Sequence, residues 1–432
     1  MADDSFEAIV VGAGPAGSAA AYTLAAAGLE VLMVERGINP GDKSMSGGRI
    51  YAYSLARLWP AYADSAPLER RITRETISLV DGDSMVDFSV CSPDFLAQDR
   101  ISYTVLRQEF DAWAARQAEN AGASLIAPVN ADGFYRQNGR LAGITAGGEN
   151  VKGKVIVLAE GANGLLAQEA GLRREFTPRQ AAVGFKEIIK MPAEIIQERF
   201  NLLPGQGAAR LLAGSLTGGL PASGAFIYTN KDSLSLGMVI SLKSAMTGPE
   251  PVHRLLERFK NHPAIRPLLQ GGETVEYSAH LVPEASYYTL KPTLAGDNIL
   301  LAGDAAGMVI NHGYTVRGMD LALLAGQAAG LAILQCRGDY RAKTLLPAYE
   351  GQLRRAGVLG HLKAARHMPA FLENPRITGD YPALAVNLAK DIFSFDGSPP
   401  RPLFRGKLWP RLRGIGVPAL LKDAWLALRA LG

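Results

Sequence analysis

Thirty residues near the start of the chain, Phe6 to Glu35, constrain its fold more than any other stretch. A β-branched run, Ala8-Ile9-Val10-Val11, leads into Gly12-Ala13-Gly14-Pro15-Ala16-Gly17, an alanine-rich helix and a second apolar strand ending at Glu35. Gly12 permits the tight turn out of the strand, Gly14 lets backbone approach a diphosphate closely, and Gly17 lets the helix lie against the sheet. Pro15 suits the first helical turn, where a missing N–H costs little. The free N–H groups and positive dipole end of that helix then face a diphosphate, while Glu35 accepts hydrogen bonds from ribose hydroxyls. A glycine turn kept for packing alone needs no acid 18 positions past Gly17, so the stretch reads as a dinucleotide site.

With 432 residues the chain has room for two or three domains. A net charge of +4 does not suggest a nucleic-acid binder. The basicity is concentrated in residues 401–432, where seven Lys/Arg face one acid, Asp423. Cys91 and Cys336 lie outside any CxxC pair and read as reduced thiols, too few for an iron–sulfur cluster or a four-ligand zinc site. The six histidines form no HxxxH or HExxH pattern, so no metal site is expected. The first strand starts too early for a signal peptide, and no long uninterrupted apolar window predicts a transmembrane helix.

Further along, residues 67–104 read as short strands and Gln108–Asn120 as a helix. Asn138-Gly139 marks a two-residue hairpin. Val155–Ala159 and Asn298–Ala302 are all-apolar runs of the kind buried in parallel sheets. Residues 173–272 alternate strands with Gly/Pro turns, as an inserted antiparallel sheet does. A glycine-spaced turn that includes Gly313 precedes a long helix expected from about Val316 to Cys336.

Two glycine-rich strand ends, at Gly12 and at Gly303-Asp304-Ala305-Ala306-Gly307, stand nearly 300 residues apart. A contiguous NAD domain leaves the second without a role. If the last strand joins the first sheet, Asp304 meets the ribityl chain of FAD, and both motifs are used. The N–H groups of Arg317 and Gly318, at the start of the long helix, are then expected to stabilise negative charge on the flavin ring.

The opening fingerprint, Ser46–Tyr51, Tyr103–Arg107, Tyr277–Glu284, Gly303–Gly307 and Thr315–Asp320 together resemble the FixC-type subunits of the electron-transfer-flavoprotein:quinone oxidoreductase family, over essentially the whole length. The resemblance implies an α/β flavoprotein with the para-hydroxybenzoate-hydroxylase-like fold. Its Rossmann-like FAD domain is discontinuous, from 1–70, 100–172 and 273–345. An antiparallel substrate or quinone domain comes from 71–99 and 173–272, and a helical C-terminal region from 346–432. By motif match, Gly12 to Gly17, Pro15 and Ala16 included, hold the ADP half with Glu35 and the adjoining Arg36. Arg107 and Val129 fall near the pyrophosphate and adenine, Gly47 and Gly48 along the flavin, and Gly303-Asp304 and Gly313 complete the set. Glu160 stands where related flavoproteins often carry Asp.

The resemblance further implies an oxidoreductase that accepts electrons from a two-subunit electron transfer flavoprotein and passes them towards quinone. A ferredoxin-like iron–sulfur partner is separate. An NAD(P)H-dependent hydroxylase or prenyl-lipid reductase, and a non-catalytic flavin-carrying subunit, are the alternative readings. The tail from Pro418 forms a basic helix with Leu420, Ala424, Ala427, Leu428 and Leu431 on one side, suited to a membrane surface or to docking on protein. The expected location is cytoplasmic, peripheral on the inner face of the cytoplasmic membrane.

Overall fold

The apolar runs picked out above meet in one sheet. The computed structural model describes residues 5–45, 48–97, 100–248, 250–284, 287–313, 315–397 and 402–431. The first sheet orders its main strands Ala295–Gly296, Ile299–Leu301, Glu149–Leu158, Ser5–Val11, Val31–Val34 and Ser124–Ile126. All neighbours run parallel except the first pair. Ile9, Val10, Val157 and Leu300 are wholly buried, which explains why these strands read as unbroken apolar runs. A hairpin, Ala131–Gln137 with Arg140–Ala146, extends the sheet, and its turn residues Asn138 and Gly139 both take positive φ, as that pair favours.

The second sheet has nine strands. In order they are Glu273–Pro283, Ala181–Lys190, Ser233–Ser241, Ser223–Thr229, Gln206–Gly214, Leu68–Asp81, Ser102–Val105 and Gly48–Tyr51, with Ser84–Cys91 paired to Leu68–Asp81. Pairing is antiparallel except between Gln206–Gly214 and Leu68–Asp81. This sheet takes more of the chain than the boundaries drawn at 70, 100 and 273. Gly48–Tyr51, Ser102–Val105 and Glu273–Pro283, read above as nucleotide-domain segments, are strands of the second sheet. Each finds its partner far away in sequence, so no local pattern announces the pairing.

One helix contact ties the early and late segments together. Pro15–Ala25 packs along Met319–Gln335 with almost nothing between the backbones. A Cβ at Gly326 would lie 2.0 Å from the Ala16 carbonyl oxygen, and one at Gly330 would lie 2.8 Å from Thr23 Cβ. The late helix starts at Met319 rather than Val316, because Val316–Arg317 pairs antiparallel with Ile310–Asn311.

In the tail, Val417–Leu431 is helical. Asp423 turns inward, where its carboxylate accepts hydrogen bonds from Arg376 Nη2 (2.8 Å) and the Tyr381 hydroxyl (2.6 Å). Leu421, Trp425 and Leu428 therefore face outward, at 68%, 54% and 75% exposure. The partly buried Arg376–Asp423 ion pair lies on the side that docks.

Gly326→Val drives a branched side chain into the Ala16 carbonyl. The expected loss is about 1–3 kcal/mol or more, as for overpacked cores, read as a lower denaturant midpoint, while Gly351→Ala, at an open helical position, raises the midpoint slightly.

Candidate cofactor site

The two sheets enclose a cavity of about 490 Å³ at the carboxyl ends of the parallel strands. That is a volume typical of cofactor sites, and the position is the one at which open α/β sheets bind ligands. One end is built by the first strand, turn and helix. Gly12 has φ +97°, and a Cβ there would lie 2.5 Å from the Ala159 carbonyl oxygen, so only glycine fits. Gly17 would place a Cβ 1.8 Å from the Gly12 carbonyl oxygen. The helix that follows has neither a capping side chain nor an acid in its first turn. Its uncapped N–H groups and dipole thus remain available to an anion.

Glu35 closes this end. Its carboxylate accepts from Ala13 N–H (2.9 Å) and Gly37 N–H (2.7 Å), which fixes it at the cavity wall with lone pairs remaining for hydroxyl donors. The Val129 N–H donates to the Glu35 carbonyl at 2.8 Å, and both residues line the cavity together with Arg36. Arg107, at the start of the Arg107–Asn120 helix, stands over Gly14. It pairs with Asp111 (Nη2 to Oδ2, 2.6 Å; Nε to Oδ1, 2.9 Å) and donates to Ser44 Oγ at 3.1 Å. Burial works against its charge, but the Asp111 carboxylate outweighs that and holds its pKa above the ordinary guanidinium range.

Midway along the cavity, Asp304 sits on the turn after Ile299–Leu301. Burial pushes its carboxyl above the usual range, against the pull of Arg107, His280 and Arg173. Glu160 also reaches the cavity, and its carboxylate accepts from the N–H groups of Leu166 (3.0 Å) and Ala167 (2.7 Å), so it caps the short Leu165–Glu169 helix. The far end is walled by Gly48, Val309, Asn311, Val316, Gly318 and Met319. Across from these, the second sheet presents Leu211, Phe226, Tyr228, Val239, His280 and Val282, a mainly apolar wall.

Of the residues singled out in the sequence, Gly12, Gly14, Pro15, Ala16, Glu35, Arg36, Gly48, Arg107, Val129, Asp304 and Gly318 line this one cavity. Gly47 lies outside the described residues. Gly17 and Gly303 stand behind the wall, the latter with room for a Cβ only 2.9 Å from that of Ala16. Gly313 is exposed and donates its N–H to Asn311 Oδ1 at 2.8 Å. Arg317 turns away as well. Its guanidinium pairs with buried Asp320 (2.6 Å), donates to the Tyr53 hydroxyl (2.7 Å) and lies 5.2 Å from the centre of the Tyr51 ring.

Sequence reading missed three polar groups. Arg49 pairs with Glu75 and covers the Tyr51 ring at 4.8 Å. Lys186 is fully buried beside Phe226 on the wall-forming face, and burial pulls its ammonium well below the ordinary lysine range. Glu284 lines the cavity next to Asn311. Arg49 and Glu284 fall within Ser46–Tyr51 and Tyr277–Glu284, but neither stretch announces the side chain's place, and Lys186 carries no local motif. Only strand alternation across paired segments, with the register known, would place Lys186 on this face.

Residues 7–86, a span that includes the uncapped helix, the glycine cradle and Glu35, match the family model for FAD dependent oxidoreductases. Residues 182–282 match the model described as ETF-QO, ubiquinone-binding, and residues 368–432 that of the ETF-QO/FixC family C-terminal domain. The chain is 45% identical to Protein FixC of Escherichia coli K12 over 424 residues, covering 98% of both. It is 43% identical to the probable electron transfer flavoprotein-quinone oxidoreductase YdiS of the same strain, again over 98% of both. Among solved structures, a geranylgeranyl bacteriochlorophyll reductase-like protein from Thermoplasma acidophilum shares the fold with a TM-score of 0.70 at 19% identity, covering 97% of this chain and 98% of that one. The flavin-dependent brominase Bmp2 does so at 0.64 and 15%, covering 99% and 93%.

Fold and cavity thus define an FAD-dependent oxidoreductase. More narrowly, the chain belongs to the FixC/electron transfer flavoprotein:quinone oxidoreductase family.

Arg107→Met leaves the Asp111 carboxylate buried without its cation, at an expected cost of about 3–5 kcal/mol. Adding Asp111→Asn recovers part of that loss in a double-mutant cycle of denaturant unfolding.

Proposed function

We propose that this chain receives electrons from a two-subunit electron transfer flavoprotein and passes them through FAD to quinone. The observation that carries the reading is the shared cavity. One wall is the dinucleotide-binding sheet, and the other is an apolar face built largely from the segment that matches the ubiquinone-binding model. Bound there, FAD supplies the one- and two-electron steps, and the protein supplies position, charge and exclusion of water. The Gly12–Gly17 turn and helix anchor the diphosphate, Glu35 the ribose, and Asp304 the ribityl hydroxyls. Gly318, at the N-terminus of Met319–Gln335, brings positive dipole to the ring end.

The reading extends to partners and place. Two cysteines, an exposed Cys91 and a buried Cys336, leave an iron–sulfur centre to a separate ferredoxin-like subunit. No helix among the described residues is long and apolar enough to cross a membrane. The outward Leu421, Trp425 and Leu428, with the basic residues of the tail, suit peripheral contact with an anionic lipid surface at the inner face of the cytoplasmic membrane.

Anaerobic mixing tests the relay. Reduced electron transfer flavoprotein is expected to bleach the FAD absorbance, and a soluble quinone to restore it, with NADPH ineffective. Fast bleaching by NADPH instead assigns the chain to the hydroxylase or prenyl-lipid reductase class. For the tail, Leu421→Glu with Leu428→Glu is expected to weaken sedimentation with anionic vesicles by at least about tenfold, since each buried apolar side chain is worth roughly 1.5–3 kcal/mol. Unchanged sedimentation removes the lipid contact.

A further inference from the structure

Glu284 is the buried acid in the cavity wall that the relay described so far does not use. It follows the last strand of the second sheet, Glu273–Pro283, and is only 9% exposed. Its backbone N–H is anchored to the Gln180 carbonyl at 3.0 Å. Its side chain faces the ring end of the cavity with Pro283, Val309, Asn311 and Gly318. Among the described residues its carboxyl has one hydrogen-bonded side chain, Asn311, which donates from Nδ2 to Oε1 at 3.1 Å. That amide is held in one orientation, because its own oxygen accepts the Gly313 N–H at 2.8 Å. Asn311 therefore always donates to Oε1, and a proton on Glu284 belongs on Oε2.

We infer that Glu284 is a proton donor of the redox cavity, delivering from Oε2 the proton that accompanies electrons to quinone. The inference rests on the proposed relay. Quinone becomes quinol by gaining two electrons and two protons. With an anionic, two-electron-reduced cofactor as the source of two electrons and one proton, the balance closes with one further proton. Oε2–H releases it, leaving a Glu284 carboxylate, an oxidised cofactor and quinol, and a solvent proton then restores the acid.

The electrostatics around the carboxyl agree with this duty. Burial raises its pKa to about 7, Asn311 opposes that rise by its hydrogen bond, and Glu373, exposed at the end of the Met368–Leu372 helix, adds to it. Other titratable or charged groups on the elements around it include His280 on its own strand, with Glu273, Glu276 and Tyr277 further back along it, His312 and Arg317 on the Ile310–Arg317 hairpin, and Asp304 on the turn after Ile299–Leu301. His312 is held below the ordinary histidine range, by burial first and then by Arg317 and His361, so it stays neutral where Glu284 titrates. A donor whose pKa lies near working pH both holds and releases its proton readily. No cation among the described residues forms an ion pair with Glu284, so nothing pins it as a carboxylate.

The test uses the FAD-loaded full chain, its Glu284→Gln and Glu284→Asp variants, and Asn311→Leu. Two readouts need no turnover: the absorbance of the oxidised flavin, and the flavin midpoint potential, each followed against pH. The parent is expected to show an ionisation near pH 7 in both. Glu284→Gln should lose it while keeping its FAD content and melting temperature, and Asn311→Leu, which removes the donor to the carboxylate, should move it to higher pH. In single turnovers, photoreduced protein is mixed with a soluble short-chain quinone. Glu284→Gln is expected to slow quinol formation by roughly 10²-fold or more, the usual weight of a positioned acid, and Glu284→Asp to recover part of the rate. Unchanged rates and an unchanged pH profile in Glu284→Gln overturn the assignment. A parent that shows the ionisation yet reduces no quinone overturns the acceptor instead, so the two failures are distinct.

Discussion

The contact between Pro15–Ala25 and Met319–Gln335 is the constraint on which the rest depends. Two helices separated by nearly the whole nucleotide domain touch backbone to backbone, through Gly326 against the Ala16 carbonyl and Gly330 against Thr23. Because both helices start at the cavity, this contact sets the distance between their N-terminal ends. On the proposed reading one end serves a diphosphate and the other a flavin ring, so cofactor length is matched by glycine packing rather than by a side chain that could swing.

The cavity's electrostatics follow from the same close fit. Buried charges come in pairs where they must hold still, as with Arg107 and Asp111 or Arg317 and Asp320. The second pair stiffens the hairpin in front of the long helix and takes the Arg317 side chain out of the cavity. Asp304 and Glu284 are different. Each is pushed towards its protonated form by burial, Asp304 against the pull of Arg107, His280 and Arg173. A wall that is firm in its cations and soft in two acids is a sensible partner for a group that changes charge as it cycles.

Much of the nucleotide side was legible because its signals are local. The Gly12–Gly17 turn, Glu35, the all-apolar strands and the Asn138-Gly139 hairpin each follow from a few consecutive residues. What escaped depends on pairing over long distances. Gly48–Tyr51, Ser102–Val105 and Glu273–Pro283 look like short connecting strands until the second sheet gathers them. Lys186 reads as an ordinary strand lysine until its register against Gly237 turns it inward. Glu284, next to a proline, reads as a turn residue, and its burial is decided by a hairpin that follows later in the chain. In the tail, the apolar pattern shows a helix but not which side docks, and the inward turn of Asp423 onto Arg376 comes from a partner 47 residues away.

The strand order has a consequence for synthesis. The first sheet threads Ile299–Leu301 beside Glu149–Leu158, and its helix partner at Met319–Gln335 comes later still. A chain emerging from the ribosome therefore carries its diphosphate turn, Glu35 and all nine strands of the second sheet before any pocket exists to receive FAD. Until Ile299–Leu301 is out, the edge of Glu149–Leu158 that it covers stays unpaired. Assembly of this nucleotide domain therefore waits, open-edged, for segments made nearly 300 residues after its first turn.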